Sequence, residues 1–221
     1  MHLHMTGFNG AEDAVAGPFQ KPWSEVEAVL RAMALHLKAS DQAGIQGDPI
    51  FDPKGSNEYI KQALAKKRWE GGIRIPEEYS FLGTDVDFAK DGLLVEVQLS
   101  TYAFLLNNLL RSELFYKARL PFGGAPVGLL VLITKARMFP ASNSTLYYEQ
   151  AVKQVSALAK HEVFKIPMLV VGLAEVPGIV QVVWTEWGDA RYSRDVASRH
   201  ERRCEIAPGR SAASRHHLRL L

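Results

Sequence analysis

The sequence predicts an α/β fold in which helices flank a mixed β-sheet. Two continuous apolar runs, Val127–Thr134 and Ile166–Leu173, are typical of strands that are buried on both faces. Amphipathic stretches with apolar residues at three- and four-residue intervals come before and between these runs and predict helices. An Asp91-Gly92 pair between two further short strands predicts a β-hairpin with a type I′ turn.

The first third of the chain predicts two helices joined by a loop. Apolar residues recur at helical spacing from just after Pro22 to Leu37, which predicts the first helix. Segment Ser40–Gly55 is rich in Asp, Gly and Pro and is typical of a loop. A second amphipathic helix is predicted over Ser56–Trp69, with Gly71-Gly72 ending it.

The remaining elements alternate between strands and helices. Short strands are predicted around Phe81–Phe88 and Leu93–Leu99, followed by a helix over Phe104–Lys117. A further helix is predicted over Thr145–Lys160 and a last buried strand over Ile179–Trp184. The final 30 or so residues show no clear period and leave short strands, a loop or a tail as alternatives.

Length and composition predict one domain over residues 1–221, with residues from about 175 onward forming either a β-rich subdomain or a tail. A single cysteine, Cys204, excludes an internal disulfide and hence a disulfide-rich secreted scaffold. No apolar stretch is long enough to span a membrane and no signal peptide is recognisable, so we expect a cytoplasmic protein without a membrane partner.

The net charge of +2 conceals two opposite contributions. Residues 191–221 hold eight arginines and three acidic residues, a balance of +5, whereas residues 1–190 have a balance of −3. A basic C-terminal segment suits contact with the phosphates of a nucleic acid. Part of the acidic excess lies on the predicted hairpin, where a cation could neutralise it.

The hairpin turn predicts which residues of its two strands face each other. If Asp91 and Gly92 form the turn, Asp87 lies opposite Glu96 and Asp85 lies opposite Gln98. Strand alternation then places the three carboxylates and the amide on one face, while the neighbouring valines point into a core. Like charges that face each other across a hairpin destabilise it, so this arrangement needs a reason.

A divalent cation is the functional explanation for the acidic hairpin face. Carboxylate oxygens suit Mg²⁺, which retains several waters and also takes phosphate oxygens of a substrate. Such a metal could activate a water and stabilise charge on a phosphate. The structural alternative is a solvated face whose acids point at water. Zinc is not expected, since the histidines form no ligand motif, and no Walker A loop or nucleophilic serine motif is present.

The D-x8-E-x-Q spacing resembles the PD-(D/E)xK nuclease core with Gln98 in place of the usual lysine, a replacement characteristic of the BglII-type restriction endonucleases. Further matching segments follow in order over residues 7 to 200. They are 37–43, 50–53, 81–85, 104–108, 111–115, 138–144, 146–151 and 191–194. The resemblance implies a restriction-endonuclease-like fold, a mixed sheet with flanking helices and a smaller β-rich C-terminal subdomain that embraces DNA.

The activity that the resemblance implies is that of a type II restriction endonuclease. A homodimer would hydrolyse one phosphodiester in each strand of double-stranded DNA with Mg²⁺. The implied site is the palindrome AGATCT or a closely related one, cut to leave 5′ overhangs. The family's metal site corresponds to Asp87, Glu96 and the carbonyl of Val97, and Gln98 orients the attacking water. Such an enzyme needs a separate DNA methyltransferase for the same site.

The sequence-reading residues carry over at six positions: Ser100, Thr101, Asn143, Ser144, Tyr192 and Arg194. Asn and Arg are suited to bidentate contacts with adenine and guanine in the major groove. Alternatives remain open from the residues alone. Asn143 and Ser144 could cap the following helix, Tyr192 could be a half-buried aromatic, and Arg194 could contact phosphate alone.

Two departures from the family pattern concern the active site and the base-reading loop. Gly72 stands where the pattern has an asparagine near the active site, and Thr101 stands where it has another asparagine. Two alternatives are kept. One is a repair or recombination nuclease on the same core that recognises DNA structure, and the other, which Gly72 makes conceivable, is a DNA-binding relative without catalysis.

Overall fold

The computed structural model describes residues 1–142, 145–188, 195–211 and 214–221. Helices α1 to α5 span Ala11–Ala16, Gln20–Ala32, Pro53–Lys66, Phe104–Lys117 and Tyr148–Lys160, and a short 3₁₀ helix spans Glu77–Leu82. Strands β1 to β6 span His2–Phe8, Leu35–Ala39, Pro49–Phe51, Glu70–Arg74, Asp85–Lys90 and Leu93–Val97. Strands β7 to β13 span Pro121–Phe122, Ala125–Pro126, Leu129–Lys135, Met168–Ala174, Gly178–Trp187, Val196–Ala207 and His217–Leu220.

The larger sheet has six strands in the order β1-β10-β9-β6-β5-β4. Its centre is parallel, because β9 pairs in parallel with both β10 and β6. Its margins are antiparallel, with β1 on β10 at one side and the β4–β5–β6 meander at the other. The sheet is therefore mixed, as the sequence predicts.

Both faces of the larger sheet are covered, and this explains the continuous apolar runs. On β9, Leu130 and Leu132 pack into a core shared with helices α4 and α5. The alternate residues Val131 and Ile133 pack into a second core shared with α2, α3 and the smaller sheet. Every residue of Leu129–Lys135 is buried, as expected for a strand between two layers.

The smaller sheet has five strands in the order β13-β12-β11-β2-β3. Strand β11 forms a long antiparallel pair with β12 and a short parallel pair with β2, in which Val182–Trp184 face Leu35–Leu37. The final residues, which have no clear period in the sequence, thus form strands. The division of the chain near residue 175 stays a prediction.

The α/β class and the mixed sheet are confirmed, and helix α4 has the predicted bounds. The helix predicted from Pro22 to Leu37 is wrong at its end, because α2 stops at Ala32 and Leu37 lies in strand β2. Met33 and Leu37 are four residues apart, so their spacing fits a helix although both fill the same core from different elements.

Other boundaries differ for local reasons. The predicted loop Ser40–Gly55 contains strand β3 and the first turn of α3, where the Asp52 side chain accepts a hydrogen bond from Lys54 N–H as an N-cap. Helix α5 begins at Tyr148 after an extended Tyr147, so Thr145 is outside it. Strands β1 and β4 and helix α1 are not predicted by the sequence patterns.

Candidate active site

The hairpin of β5 and β6 has the register that its turn predicts. Asp91 and Gly92 have φ values of 51° and 79°, the left-handed backbone that a type I′ turn requires. The paired positions are Lys90 with Leu93, Ala89 with Leu94 and Phe88 with Val95. Continuing this register past the last pair brings Asp87 beside Glu96.

Asp87 connects the two strands where their backbone pairing ends. Its Oδ2 accepts a hydrogen bond of 2.7 Å from the Val97 N–H, which places the carboxylate beside the peptide that follows Glu96. The Asp87 residue remains exposed, yet its carboxylate lies in a recess. Partial burial there raises its pKa above the ordinary value, against the opposing effects of the Val97 hydrogen bond and of Arg111.

A pocket of about 240 Å³ opens in front of this carboxylate. Its lining comes from α3, β4 and the hairpin and consists of Asn57, Lys61, Gly72, Asp85, Asp87, Phe88 and Val97. Asp85 and Asp87, two residues apart on β5, both face this pocket, as strand alternation predicts. Lys61 adds a cationic side chain at the same opening.

Glu96 is buried, with 1% of its surface exposed, and forms an ion pair with Arg111 of α4. Arg111 Nη2 donates to Glu96 Oε1 at 2.6 Å, and the arginine is 7% exposed. The pKa of Glu96 is raised to about 7, mainly because the group is buried and also because of the Asp87 charge, whereas Arg111 opposes the shift. Glu96 is thus a carboxyl group whose charge depends on its neighbours.

Gln98 is held by two hydrogen bonds. Its Nε2 donates to the Thr101 carbonyl at 2.8 Å, and its Oε1 accepts from Asn108 Nδ2 of α4 at 3.3 Å. The Gln98 residue is 5% exposed. Both ends of the amide are therefore fixed, and the assignment of its oxygen and nitrogen follows from this network.

Comparison with known proteins decides the family. Residues 3–173 match the family model described as restriction endonuclease BglII/BglIII. The chain belongs to the BglII/BglIII restriction endonuclease family. This confirms the resemblance on which the sequence-based expectations rest, and the chain is accordingly a type II restriction enzyme.

Relatives of this BglII-family enzyme match over nearly its whole length. The type II restriction enzyme BglII of Bacillus subtilis is 48% identical over 200 residues, covering 90% of this chain and 88% of the relative. The crystal structure of BglII complexed with a DNA 16-mer is 43% identical and superposes with a TM-score of 0.94, covering 100% of both chains. The structure of free BglII covers 100% of both chains at 40% identity, with a lower TM-score of 0.77.

Restriction endonucleases generally use a divalent metal ion, and the donors present in this BglII-family chain fit one. Asp87 and Glu96 offer carboxylate oxygens and Val97 offers a carbonyl, all hard ligands suited to Mg²⁺. No group of three or more His, Cys, Asp or Glu side chains with the geometry of a metal site occurs in residues 1–142, 145–188, 195–211 and 214–221. Three oxygen donors would form a partial ligand shell, of the kind that Mg²⁺ completes with water and phosphate.

The residues expected to read DNA bases are placed in part. Ser100 and Thr101 follow Gln98 after Leu99 and lie beside the segment that precedes α5. The Ser100 carbonyl accepts a hydrogen bond from the Leu146 N–H at 2.7 Å, and Thr101 forms an isolated antiparallel bridge with Thr145. The other four positions, Asn143, Ser144, Tyr192 and Arg194, lie outside the described residues.

Two site residues of the BglII-family enzyme, Arg111 and Asn108, are missed by sequence reasoning. Both lie on α4, three residues apart, so they project from one side of the helix toward β6. Their signal in the sequence is the three-residue spacing of an amide and a guanidinium beside the leucines of this helix. None of the helices in the described residues has both the length and the apolar character needed to cross a membrane.

Proposed function

We propose that the chain hydrolyses phosphodiester bonds of double-stranded DNA with Mg²⁺, at the palindrome AGATCT or a closely related sequence, leaving 5′ overhangs. The observation that carries this proposal is the convergence of Asp87, Glu96 and Gln98 at one end of the hairpin. The BglII relative, crystallised with a DNA 16-mer, supports duplex DNA as the substrate.

Asp87, Glu96 and the Val97 carbonyl would hold the Mg²⁺ ion. Bound there, it would lower the pKa of a coordinated water and stabilise negative charge on the phosphate. The Asp87 carboxylate is already oriented by the Val97 N–H, and Glu96 Oε1 by Arg111. These two contacts orient both carboxylates in the absence of a ligand, which would lower the cost of reorganisation during the reaction.

Gln98 would orient the attacking water. An amide oxygen has two lone pairs, and the Asn108 hydrogen bond uses one of them, so Gln98 Oε1 can still accept a hydrogen bond from a water molecule. Because Nε2 is bound to the Thr101 carbonyl, the oxygen cannot exchange places with it at low cost. A water held in this way faces the phosphate in a fixed direction, which is the contribution of positioning to the rate.

Base reading would come from Ser100, Thr101, Asn143, Ser144, Tyr192 and Arg194. Ser100 and Thr101 are separated from Gln98 by Leu99 alone, so a base contact made there acts on the strand that carries the catalytic residues. The arginines of the C-terminal segment would contact phosphates, and binding would weaken as salt concentration rises.

A homodimer would read the two halves of a palindrome by two-fold symmetry. Exposed large apolar side chains on helix α4 and in the segments before it support this, because apolar surface of this kind is often covered in a protein interface. They are Phe81, Tyr102, Phe104, Leu106 and Leu110. A dimer that cuts both strands would also require a separate methyltransferase, which protects the same sequence in the host DNA. We expect both enzymes to act in the cytoplasm.

A plasmid of known sequence, incubated with the protein and Mg²⁺, tests the proposal. Linear fragments whose sequenced ends share one palindrome and 5′ overhangs are the expected result, and Glu96→Ala should bind the duplex without cutting it. Cutting that follows branches or nicks would support the structure-specific alternative instead. Duplex binding without cutting by the wild type, in Mg²⁺ and in Mn²⁺, would support an inactive relative.

A further inference from the structure

Lys135, at the end of β9, is a fully buried lysine that has no carboxylate ion-pair partner in the described part of the chain. Its exposed fraction is 0%. The ammonium group lies over the rings of Phe51 and Tyr147, at 5.5 and 5.2 Å from their centroids. Burying a charged group without an ion-pair partner is costly, so the Lys135 ammonium needs hydrogen-bond acceptors in the interior.

The acceptors of Lys135 belong to two different segments. Nζ donates to the Leu99 carbonyl at 2.6 Å on one side. On the other side it donates to the Leu146 carbonyl at 3.3 Å and to Thr145 Oγ1. One side chain thus joins the end of the catalytic strand to the segment that leads into α5.

Other contacts bring the same two segments together. Thr145 Oγ1 donates to the Leu99 carbonyl at 3.3 Å, and the Leu146 N–H donates to the Ser100 carbonyl at 2.7 Å. Together with the Thr101–Thr145 bridge, these bonds form a small network with Lys135 at its buried end. In sequence, the first segment continues into Ser100 and Thr101, and the second directly follows Asn143 and Ser144.

Lys135 lies on the opposite face of the sheet from Glu96 and Gln98. Ile133, two residues earlier on β9, pairs with Val97, and both pack into the core on the side of the smaller sheet. Lys135 therefore does not replace the lysine for which Gln98 stands in the family motif. Any effect it has on the reaction acts through the segments it holds.

We propose that Lys135 is a positioning residue for sequence discrimination, which fixes the Ser100–Thr101 segment against the Thr145–Leu146 segment at one spacing. This rests on the proposed function. A base mismatch displaces one of these segments, and the Lys135 network transmits that displacement to the strand of Gln98. Loss of the network should therefore lower the preference for the correct sequence more than it lowers the rate at that sequence.

The test compares Lys135→Met, which keeps the length of the side chain but removes its donors, with Val131→Ala as a matched control. Val131 is buried on the same strand and face, pairs with Val95 and carries no hydrogen-bonding group that could join the two segments. The wild type first defines the site by sequencing of cut ends. Then kcat/KM is measured for this site and for all its single-base variants. The discrimination ratio is kcat/KM for the correct site divided by kcat/KM for a single-base variant. We expect this ratio to fall about tenfold or more in Lys135→Met, the scale of one base contact, and to stay unchanged in Val131→Ala.

Hydrogen exchange at the Leu146 amide tests the network without DNA. Its protection should fall in Lys135→Met and persist in Val131→Ala. An unchanged discrimination ratio or unchanged protection in Lys135→Met would overturn the proposal, and so would an equal loss in Val131→Ala. If Lys135→Met does not fold, Thr145→Val removes one acceptor from the partly exposed side and is judged by the same two measurements. A wild type that leaves no common ends refutes the proposed function, while the exchange measurement still decides whether the network exists.

Discussion

The Arg111 guanidinium lies 2.6 Å from the Glu96 carboxylate, and the two residues are 7% and 1% exposed. A buried pair of this kind is asymmetric in its energetics. Its formation gains little over apolar residues of the same size, but removal of one partner leaves the other charge buried and unpaired. Arg111 thus maintains the charge of a carboxylate that burial alone would neutralise.

Arg111→Met is expected to lower the free energy of unfolding by about 3–5 kcal/mol at neutral pH, because Glu96 loses its only cation contact among the described residues. Urea unfolding measures this. The matched control is the double variant Glu96→Gln/Arg111→Met, in which no buried charge remains and part of the stability should return. A double variant as unstable as Arg111→Met would contradict the assignment of the loss to an unpaired Glu96.

The stability of the metal-free protein should carry a pH dependence from Glu96. Its pKa of about 7 in the folded state is above the ordinary value of 4.5, so the folded state binds this proton more tightly than the unfolded state. Its ionisation therefore lowers stability as pH rises from about 4.5 to 7, and the contribution is constant above that range.

The Glu96 contribution is measured as a difference, because His36 acts in the opposite direction in the same range. Burial lowers the pKa of His36 to about 4, so its contribution increases stability as pH rises to 6.5. Urea midpoints of the wild type and of Glu96→Gln, determined in a chelator between about pH 4.5 and 7, should approach each other or cross over this range. Parallel curves would show that Glu96 has an ordinary pKa.

Gln98→Lys should not yield a more active enzyme, although lysine is usual at this position of the motif. Lysine has no acceptor for the Asn108 amide and places a cation beside it. We expect a large loss of cleavage and a loss of about 1–3 kcal/mol in stability, the cost of an unsatisfied buried group. Adding Asn108→Asp supplies an anionic acceptor and should recover stability. No recovery in the double variant would show that the Asn108 contact is unimportant.

Gly72→Asn should raise the cleavage rate. Gly72 lines the pocket with φ of 62°, and a Cβ there would lie 3.9 Å from Asp85 Oδ2, so space is available. Asparagine tolerates this left-handed backbone better than other residues and would bring an amide to the position where the family pattern has one. The control Gly72→Ala should cost about 1–2 kcal/mol and give no gain in rate. Equal cleavage rates in Gly72→Asn and Gly72→Ala would show that the amide at this position does not contribute to the reaction.

The register of the active-site hairpin could be predicted because two local signals agree. The Asp91-Gly92 turn fixes which residues face each other, and strand alternation fixes which side they point to. The partners of those side chains could not be predicted in the same way. Arg111 reaches Glu96 from a helix 15 residues away, and the spacing within a helix does not reveal which strand it packs on.

The sequence-based prediction of the fold is wrong where one residue pattern is compatible with two structures. Leu37 continues the helical spacing of α2, yet it belongs to strand β2 of the smaller sheet, where it pairs with Phe51 and lies in the core shared with the larger sheet. Strand β1 was missed because His2–Phe8 is partly exposed at the sheet edge and mixes polar with apolar residues. Both cases depend on contacts with β10 or β11, far away in sequence, which local periodicity does not contain.

The smaller sheet draws strands from both ends of the chain, with β2 and β3 entering between α2 and α3 and β11 to β13 closing the fold. The strands of the smaller sheet are therefore not encoded by one contiguous segment of the sequence. Exchange of residues 178–221 between relatives would join a foreign β11 to the resident Leu35–Leu37 and disturb a core shared with the larger sheet. New specificities in this lineage are then expected to arise through point substitutions on a retained scaffold, and recombination of modules would rarely produce them.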